Sequence, residues 1–313
     1  MRVLLFGATG FIGRHVRERA IGAEVVTVSR KPEAGDVCID LASAAPVDVA
    51  ILLDETAPDA VINCFGVTRG DAADMVAGNV VSVSNLVRGL AATRHAGIRL
   101  VHLGSAAEYG IVPMGRRISE AARPNPIGPY GITKLAATEI LRTSWLDTVV
   151  LRVFNPVGPG LPASTLPGRV AAELRRPGAQ IRVGSLASYR DFVDVRDVAD
   201  AAFAAACTPG PLPPVLNVGS GRATLLRDVV HSLVRISGAD GTVVESVEAG
   251  SAGTGPGTGP GTGLGTGTGS ARSAGVRWQQ AHVGAIGRAL GWRPATGLST
   301  SLHDLWKEAA CLA

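Results

Sequence analysis

Short apolar runs alternate with amphipathic stretches through the first half of the chain. Val3-Leu4-Leu5-Phe6, Val25-Val26-Thr27-Val28, Ala60-Val61-Ile62-Asn63, Leu100-Val101-His102-Leu103 and Val149-Val150-Leu151-Arg152-Val153 have the length and the near-continuous apolar character of strands buried on both faces. Residues 11–19, 47–55, 75–94 and 130–144 lie between them and read as helices. Strands and helices alternating in this way predict an α/β fold of Rossmann type, a doubly wound parallel sheet with its ligand crevice at the carboxyl ends of the strands. After residue 155 the texture changes. Pro156, Pro159, Pro162 and Pro167 mark loops, and helices resume over 166–176, 195–207 and 225–237, with Thr224 as the expected N-cap of the last. A smaller C-terminal α/β lobe over residues 156–313 is expected to close over the crevice.

Residues 253–269 are a near-pure Gly/Thr/Pro repeat. Such a segment cannot bury enough apolar surface to offset its ordering entropy. It reads as a flexible insertion at about 250–275, between a strand near Val243-Val244 and the C-terminal helices. Order is expected again from Val276-Arg277-Trp278, with a helix over 281–290 stopped by Gly291 and Pro294 beyond it.

Composition narrows the partners. The chain has 313 residues, 46% of them hydrophobic, which is enough for a sizeable core. The net charge is +4, and no basic run is interleaved with aromatics, which argues against nucleic acid. Cys38, Cys64, Cys207 and Cys311 form no CxxC pair, so they read as reduced, mostly buried thiols of a cytoplasmic protein with no metal site. The N-terminal apolar run reads as a core strand rather than a signal peptide. No apolar run approaches the roughly 20 residues of a membrane span.

The most specific stretch is Gly7-Ala8-Thr9-Gly10-Phe11-Ile12-Gly13, behind the first strand and ahead of the first helix. Glycines three apart permit a sharp turn and a close backbone approach to a pyrophosphate, and the helix N-terminus favours the negative charge. That context separates it from an ordinary Gly-rich turn. A second constellation is Tyr130-Gly131-Ile132-Thr133-Lys134, which sets a phenol and an ammonium one helical turn apart on one face. A nearby cation stabilises phenolate and poises Tyr130 for proton transfer. Ser105 ends the strand that begins near Leu100, on the ligand side of such a sheet, and can hydrogen-bond a substrate oxygen. Its alternative role is turn capping.

With these residues in order, the chain resembles the extended short-chain dehydrogenase/reductase family of nucleotide-sugar epimerases, dehydratases and reductases. Further matching segments are Asp40-Leu41, Gly104-Ser105-x-x-x-Tyr109-Gly110, Arg152 to Pro159, Arg190-Asp191-Phe192-Val193-Asp194-Val195, Asn217 to Gly221 and Leu290-Gly291-Trp292-Arg293-Pro294. The resemblance implies that residues 1–155 mainly bind the dinucleotide and residues 156–313 mainly bind a nucleotide-sugar. It implies a catalytic Ser105, Tyr130 and Lys134. It places Gly7, Thr9, Gly10, Phe11, Ile12, Gly13, Asp40, Leu41, Phe65, Gly66, Asn79 and Pro156 around the cofactor, with Lys134 on the nicotinamide ribose. It places Ser105, Glu108, Asn155 and Arg190 on the substrate. A guanidinium suits a diphosphate, although an ion pair with Asp194 is the alternative for Arg190. A homodimer through the helices over 75–94 and 130–144 is also implied.

Two local features bear on which reaction to expect. The second strand runs into Ser29-Arg30-Lys31, where NAD-preferring sites carry an acid, so NADPH is the expected cofactor. Dehydratases of the family carry an acidic pair just after the catalytic Ser or Thr, and here those positions are Ala106 and Ala107, neither of which can move a proton. The segments around Ser105 and Val183 to Val198 are similar to GDP-4-keto-6-deoxymannose reductases. The resulting expectation is NADPH-dependent reduction of the C4 ketone of a nucleotide-linked 4-keto-6-deoxyhexose. The alternatives are a nucleotide-sugar 4-epimerase with bound NAD, a ketoreductase acting on a secondary-metabolite carbonyl, and a non-catalytic dinucleotide sensor.

Overall fold

Each apolar run of the first half becomes a strand of one parallel sheet in the computed structural model, which describes residues 1–95, 97–245 and 275–309. The Gly/Thr/Pro repeat and Cys311 lie outside the described residues. The first half comprises β1 (Arg2–Phe6), α1 (Phe11–Arg19), β2 (Glu24–Ser29), β3 (Val37–Cys38), α2 (Pro46–Thr56), β4 (Ala60–Asn63), α3 (Ala72–Val76), α4 (Ser82–Ala92), β5 (Arg99–Ser105), α5 (Pro129–Arg142) and β6 (Thr148–Val153). The second comprises β7 (Asn155–Val157), α6 (Leu166–Glu173), β8 (Gln180–Val183), β9 (Tyr189–Asp194), α7 (Val195–Cys207), β10 (Val215–Val218), β11 (Ala223–Leu225), α8 (Leu226–Ser237), β12 (Thr242–Glu245), α9 (Gly284–Leu290) and α10 (Leu298–Ala309).

The main sheet has the order β10-β6-β5-β4-β1-β2-β3, with every pair parallel. Strand direction of travel reverses between β1 and β4, and this is where the crevice opens. The period of two along β1 sends its side chains to opposite layers. Val3 and Leu5 join a core with Ile62, Val198 and Ile286, while Leu4 and Phe6 join one with Leu53, Leu86 and Leu141. Burying one such side chain contributes about 1.5–3 kcal/mol, so two full layers hold the sheet rigid under the site.

The division at residue 155 follows chain order more closely than space. β10 pairs with β6 at the sheet edge, and α7 and α9 pack on the same sheet, so the chain returns twice to the dinucleotide layer after leaving it. The second lobe proper is a β11-β9-β7 sheet, a β12-β8 pair and a core of Val157, Ile181, Leu233 and Leu302.

Four expectations need correction. Thr224 does not cap α8: it lies in β11 opposite Arg190, and the helix starts after Leu225 without a side-chain cap. The last short helix begins at Gly284 rather than 281, because Ala281 donates its N–H to the Asp191 carboxylate at 2.8 Å and bridges to Ile118; it does stop at Gly291, which has φ +64°. Cys38 and Cys207 are exposed and Cys64 half-buried, since Cys38 sits on a two-residue edge strand. Finally, residues 72–92 form one helical run of 21 residues, and an 18-residue window of it has a mean hydropathy of 1.2; the run is long and apolar enough by those measures to span a membrane. Here it packs one face against α2 and α5 as a core layer.

Candidate active site

The turn after β1 is built by what glycine lacks. Gly7 has φ +74°, and a Cβ there would lie 2.7 Å from the Phe65 nitrogen. At Gly13 a Cβ would lie 2.0 Å from the Gly7 carbonyl oxygen, so α1 could not seat against the turn. No side chain caps α1 and no acid occupies its first turn, while Thr9 and Gly10 are exposed in front of it. That end of the helix is therefore set to receive an anion. Phe11 leans onto the second-lobe core and Ile12 onto the sheet core, fixing the turn between both layers.

At the end of β2, Ser29 accepts the Lys31 N–H at 3.1 Å, and Arg30 lies exposed with its guanidinium 5.5 Å from the centre of the Phe65 ring. Arg30, Lys31 and Phe65 thus stand on one side of the Gly7 turn. Asp40 accepts the Ala42 N–H at 3.1 Å. Leu41 is buried in the core and gives its carbonyl to Asn85 at 2.9 Å.

Ser105 ends β5 and its hydroxyl accepts the Ala107 N–H at 3.2 Å. The first turn of α5 rests on that same tight turn: a Cβ at Gly131 would lie 2.6 Å from the Ala107 carbonyl oxygen. Gly131, next to half-buried Tyr130, thus lies against the turn that follows half-buried Ser105. One turn further on, Lys134 is 4% exposed, and its Nζ donates to the Leu103 carbonyl at 2.5 Å and stands 3.2 Å from His102 Nε2. Burial pulls the Lys134 amine down to about 8, against the opposing pull of Glu108 and Cys64. A Cβ at Gly66 would sit 3.7 Å from Lys134 Nζ and 3.2 Å from Asn79 Oδ1.

Asn79 lies in a π-turn, Ala77–Val81, between α3 and α4. Its Oδ1 accepts the Val67 N–H at 2.8 Å, and its Nδ2 donates to the Val67 carbonyl at 2.8 Å and to Thr133 Oγ1 at 3.1 Å. The Thr133 hydroxyl donates to the Tyr130 carbonyl at 3.0 Å. Asn79 therefore clamps the loop after β4 to the helix that carries Tyr130 and Lys134.

Glu108, which the resemblance sets on the substrate, is braced from within the protein. It is fully buried, its Oε1 accepting the Ser105 N–H at 2.8 Å and its Oε2 accepting Arg152 Nε at 2.7 Å and Thr138 Oγ1 at 2.9 Å. Burial raises its carboxyl above the ordinary value, and these three donors act against that. Its role is to hold Ser105 from behind, with the Arg152 guanidinium stacked 4.6 Å over the Tyr109 ring.

In the second lobe, Asn155 Nδ2 donates to the Asp191 carbonyl at 2.9 Å and to Gln279 Oε1 at 3.1 Å, and Pro156 pairs in register with Val193. Arg190 is 6% exposed and donates to the Tyr189 carbonyl at 2.9 Å, and burial lowers its guanidinium to about 10. Asp194 pairs with Arg196 at 2.8 Å, caps α7 and accepts from Ser301, so it is committed elsewhere than to Arg190.

Sequence reasoning passed over Asn63 and His102. Both are buried in strands of the parallel sheet, 0% and 1% exposed, with Asn63 Nδ2 3.2 Å from His102 Nδ1. The available signal was a polar residue inside an otherwise apolar buried run.

Glycine turn, uncapped helix N-terminus, basic β2 end and buried lysine together suit a nicotinamide dinucleotide. Comparison with known proteins agrees. Residues 3–219 match the NAD dependent epimerase/dehydratase family. The chain is 36% identical to a dTDP-6-deoxy-L-talose 4-dehydrogenase (NAD(P)(+)) of Kitasatospora kifunensis, over 97% of this chain and 94% of that protein. It is 30% identical to a GDP-6-deoxy-D-mannose reductase of Pseudomonas aeruginosa, over 78% and 83%. The fold matches RMD from Pseudomonas aeruginosa, solved with NADPH, with a TM-score of 0.81, 24% identity and coverage of 100% and 99%. The chain is an enzyme that belongs to the NAD-dependent epimerase/dehydratase family.

Proposed function

We propose that this nucleotide-sugar-modifying enzyme reduces the C4 ketone of a nucleotide-linked 4-keto-6-deoxyhexose with NADPH. The observation that carries the reading is the seating of α5 on the Ser105-Ala106-Ala107 turn. It sets the helix that carries Tyr130 and Lys134 against the turn that follows Ser105, and that turn carries Ala106 and Ala107 where an acid pair would be needed to eliminate water. Glu108, the nearest carboxyl in sequence, is locked behind the turn by Arg152. The relative of highest identity among those described is named for dehydrogenation at position 4 of a dTDP-linked 6-deoxy sugar, the reverse of a C4 reduction.

The cofactor, when bound, supplies the hydride. Tyr130 gives a proton to the forming C4 alkoxide, and Ser105 holds that oxygen as its charge develops. Lys134, buried one turn from Tyr130, orients the nicotinamide ribose. Asn155 and Arg190 face the diphosphate from the second lobe, where a fork of N–H donors matches phosphate oxygens. The test follows NADPH absorbance while dTDP-, GDP-, UDP- and CDP-linked 4-keto-6-deoxyhexoses are offered in turn, with NADH as control. Oxidation with one of them supports the reductase. Silence with all four, in protein that binds NADPH, removes it.

Arg30 is the expected reader of the 2′-phosphate. Arg30→Ala should weaken NADPH binding roughly ten- to hundredfold, the loss of a charge-assisted hydrogen bond, and leave NADH binding unchanged. Equal losses for both cofactors would assign Arg30 a general packing role.

A homodimer is proposed through the helical run over 72–92 and α5. Val76, Val81 and Ile132 are 45%, 38% and 54% exposed on this helical layer. Ile132→Glu should convert the protein to monomers in sedimentation velocity; an unchanged sedimentation coefficient would move the interface elsewhere.

A further inference from the structure

The buried polar chain behind Lys134 has only one arrangement in which each of its four contacts pairs a donor with an acceptor. The Phe65 N–H donates to Asn63 Oδ1 at 3.0 Å, which fixes the amide and leaves Asn63 Nδ2 facing His102 Nδ1 at 3.2 Å. Nδ1 must then be the acceptor nitrogen, and Nε2 carries the proton. Nε2 points at Lys134 Nζ, 3.2 Å away, while Nζ already donates to the Leu103 carbonyl. An ammonium at Lys134 would therefore meet an N–H. A neutral amine would accept from it with its lone pair and satisfy the whole chain. Turning the imidazole tautomer around only moves the donor–donor contact to Asn63, and flipping Asn63 moves it to the Phe65 N–H.

Protonating the imidazole does not relieve the conflict. His102 is 1% exposed, and burial first, then the neighbouring lysine, hold it well below its ordinary value. The other titratable groups facing Lys134 are Glu108 beyond the Ser105 turn and Cys64 at the end of β4, both of which favour the ammonium. Tyr130 lies one turn back on the same helix. Burial opposes Glu108 and Cys64, and the amine falls to about 8; the donor–donor contact with His102 acts in the same direction as burial.

We propose that His102, locked by Asn63, is a positioning residue that presents an N–H to Lys134 and so makes the lysine a proton carrier that exchanges near neutral pH rather than a permanent cation. The consequence for catalysis rests on the reductase reading above; the consequence for Lys134 itself does not. Above its titration point Lys134 no longer stabilises a Tyr130 phenolate, so the alkaline limb of the rate profile follows the lysine as well as the phenol.

The test uses the free protein. Lys31, Lys134 and Lys307 are the only lysines of the chain, so carbon-13 labelling at Cε allows each to be titrated by NMR. Lys134 should titrate near 8. Nitrogen-15 spectra of the unsubstituted protein should show His102 as the Nε2–H tautomer, unprotonated across the folded pH range. In His102→Gln, the side-chain carbonyl can accept from the ammonium, and the Lys134 midpoint should rise by about one unit, a tenfold gain in proton affinity, with circular dichroism unchanged. A Nδ1–H tautomer, an imidazolium, or a Lys134 midpoint unmoved by His102→Gln would overturn the proposal. If Lys134 behaves as expected but no ketone is reduced, the reductase reading fails alone. If a ketone is reduced while Lys134 titrates in the ordinary range, this inference fails alone.

Discussion

Tyr130→Phe should lower turnover roughly 10²–10⁴-fold, the usual range for removing a positioned general acid, while NADPH affinity stays nearly unchanged. The separation follows from the geometry. The ring of Phe has the size of the half-buried Tyr130 ring, and Gly131, Thr133 and Asn79 hold α5 against the Ser105 turn and the loop after β4. What disappears is the proton for the C4 alkoxide. Single-turnover kinetics with a saturating nucleotide-linked ketone, paired with a fluorescence titration of NADPH, reads both quantities. Near-normal turnover would take the catalytic role away from Tyr130, and a parallel loss of NADPH affinity would recast it as a cofactor contact.

The second large effect is on stability. Arg152→Ala leaves the Glu108 carboxylate at 0% exposure without its cation, a change that costs about 3–5 kcal/mol when one member of a buried ion pair is removed. The lost stacking on Tyr109 adds to it. Urea unfolding should show the midpoint falling with little change in slope. The double variant Glu108→Gln/Arg152→Met should recover part of the loss, because Gln keeps an oxygen for the Ser105 N–H and no buried charge remains. A single variant as stable as the parent would mean that water reaches Glu108. The pair is also a link to function, since Glu108 holds the backbone of Ser105 and a loosened Ser105 would lose its aim on the substrate oxygen.

Local pattern was sufficient for much of this protein. Runs such as Val3 to Phe6 and Ala60 to Asn63 are apolar on both faces, and only a sheet covered on both sides buries them, so the parallel architecture was legible from periodicity and order. The Gly7 to Gly13 turn and the Tyr130/Lys134 spacing were legible for a similar reason: their chemistry depends on residues close in sequence, whose relative placement a turn or a helix dictates.

Long-range contacts decided the rest. Glu108 looks like a site carboxylate three residues after Ser105, but Arg152, 44 residues away, turns it inward. Thr224 looks like a cap until β11 claims its backbone for pairing with β9. The edge strand β10 is assigned to the dinucleotide sheet by pairing with β6, which no local signal announces. His102 lies 32 residues from Lys134 and 39 from Asn63, and the three meet only because β4 and β5 are neighbours and α5 packs on β5. The sequence by itself therefore determined the fold class, the glycine turn after β1 and the helix that carries Tyr130 and Lys134. Tertiary structure alone decided which charged groups are braces and which face the cleft, because burial and partner choice are properties of residues brought together from distant parts of the chain.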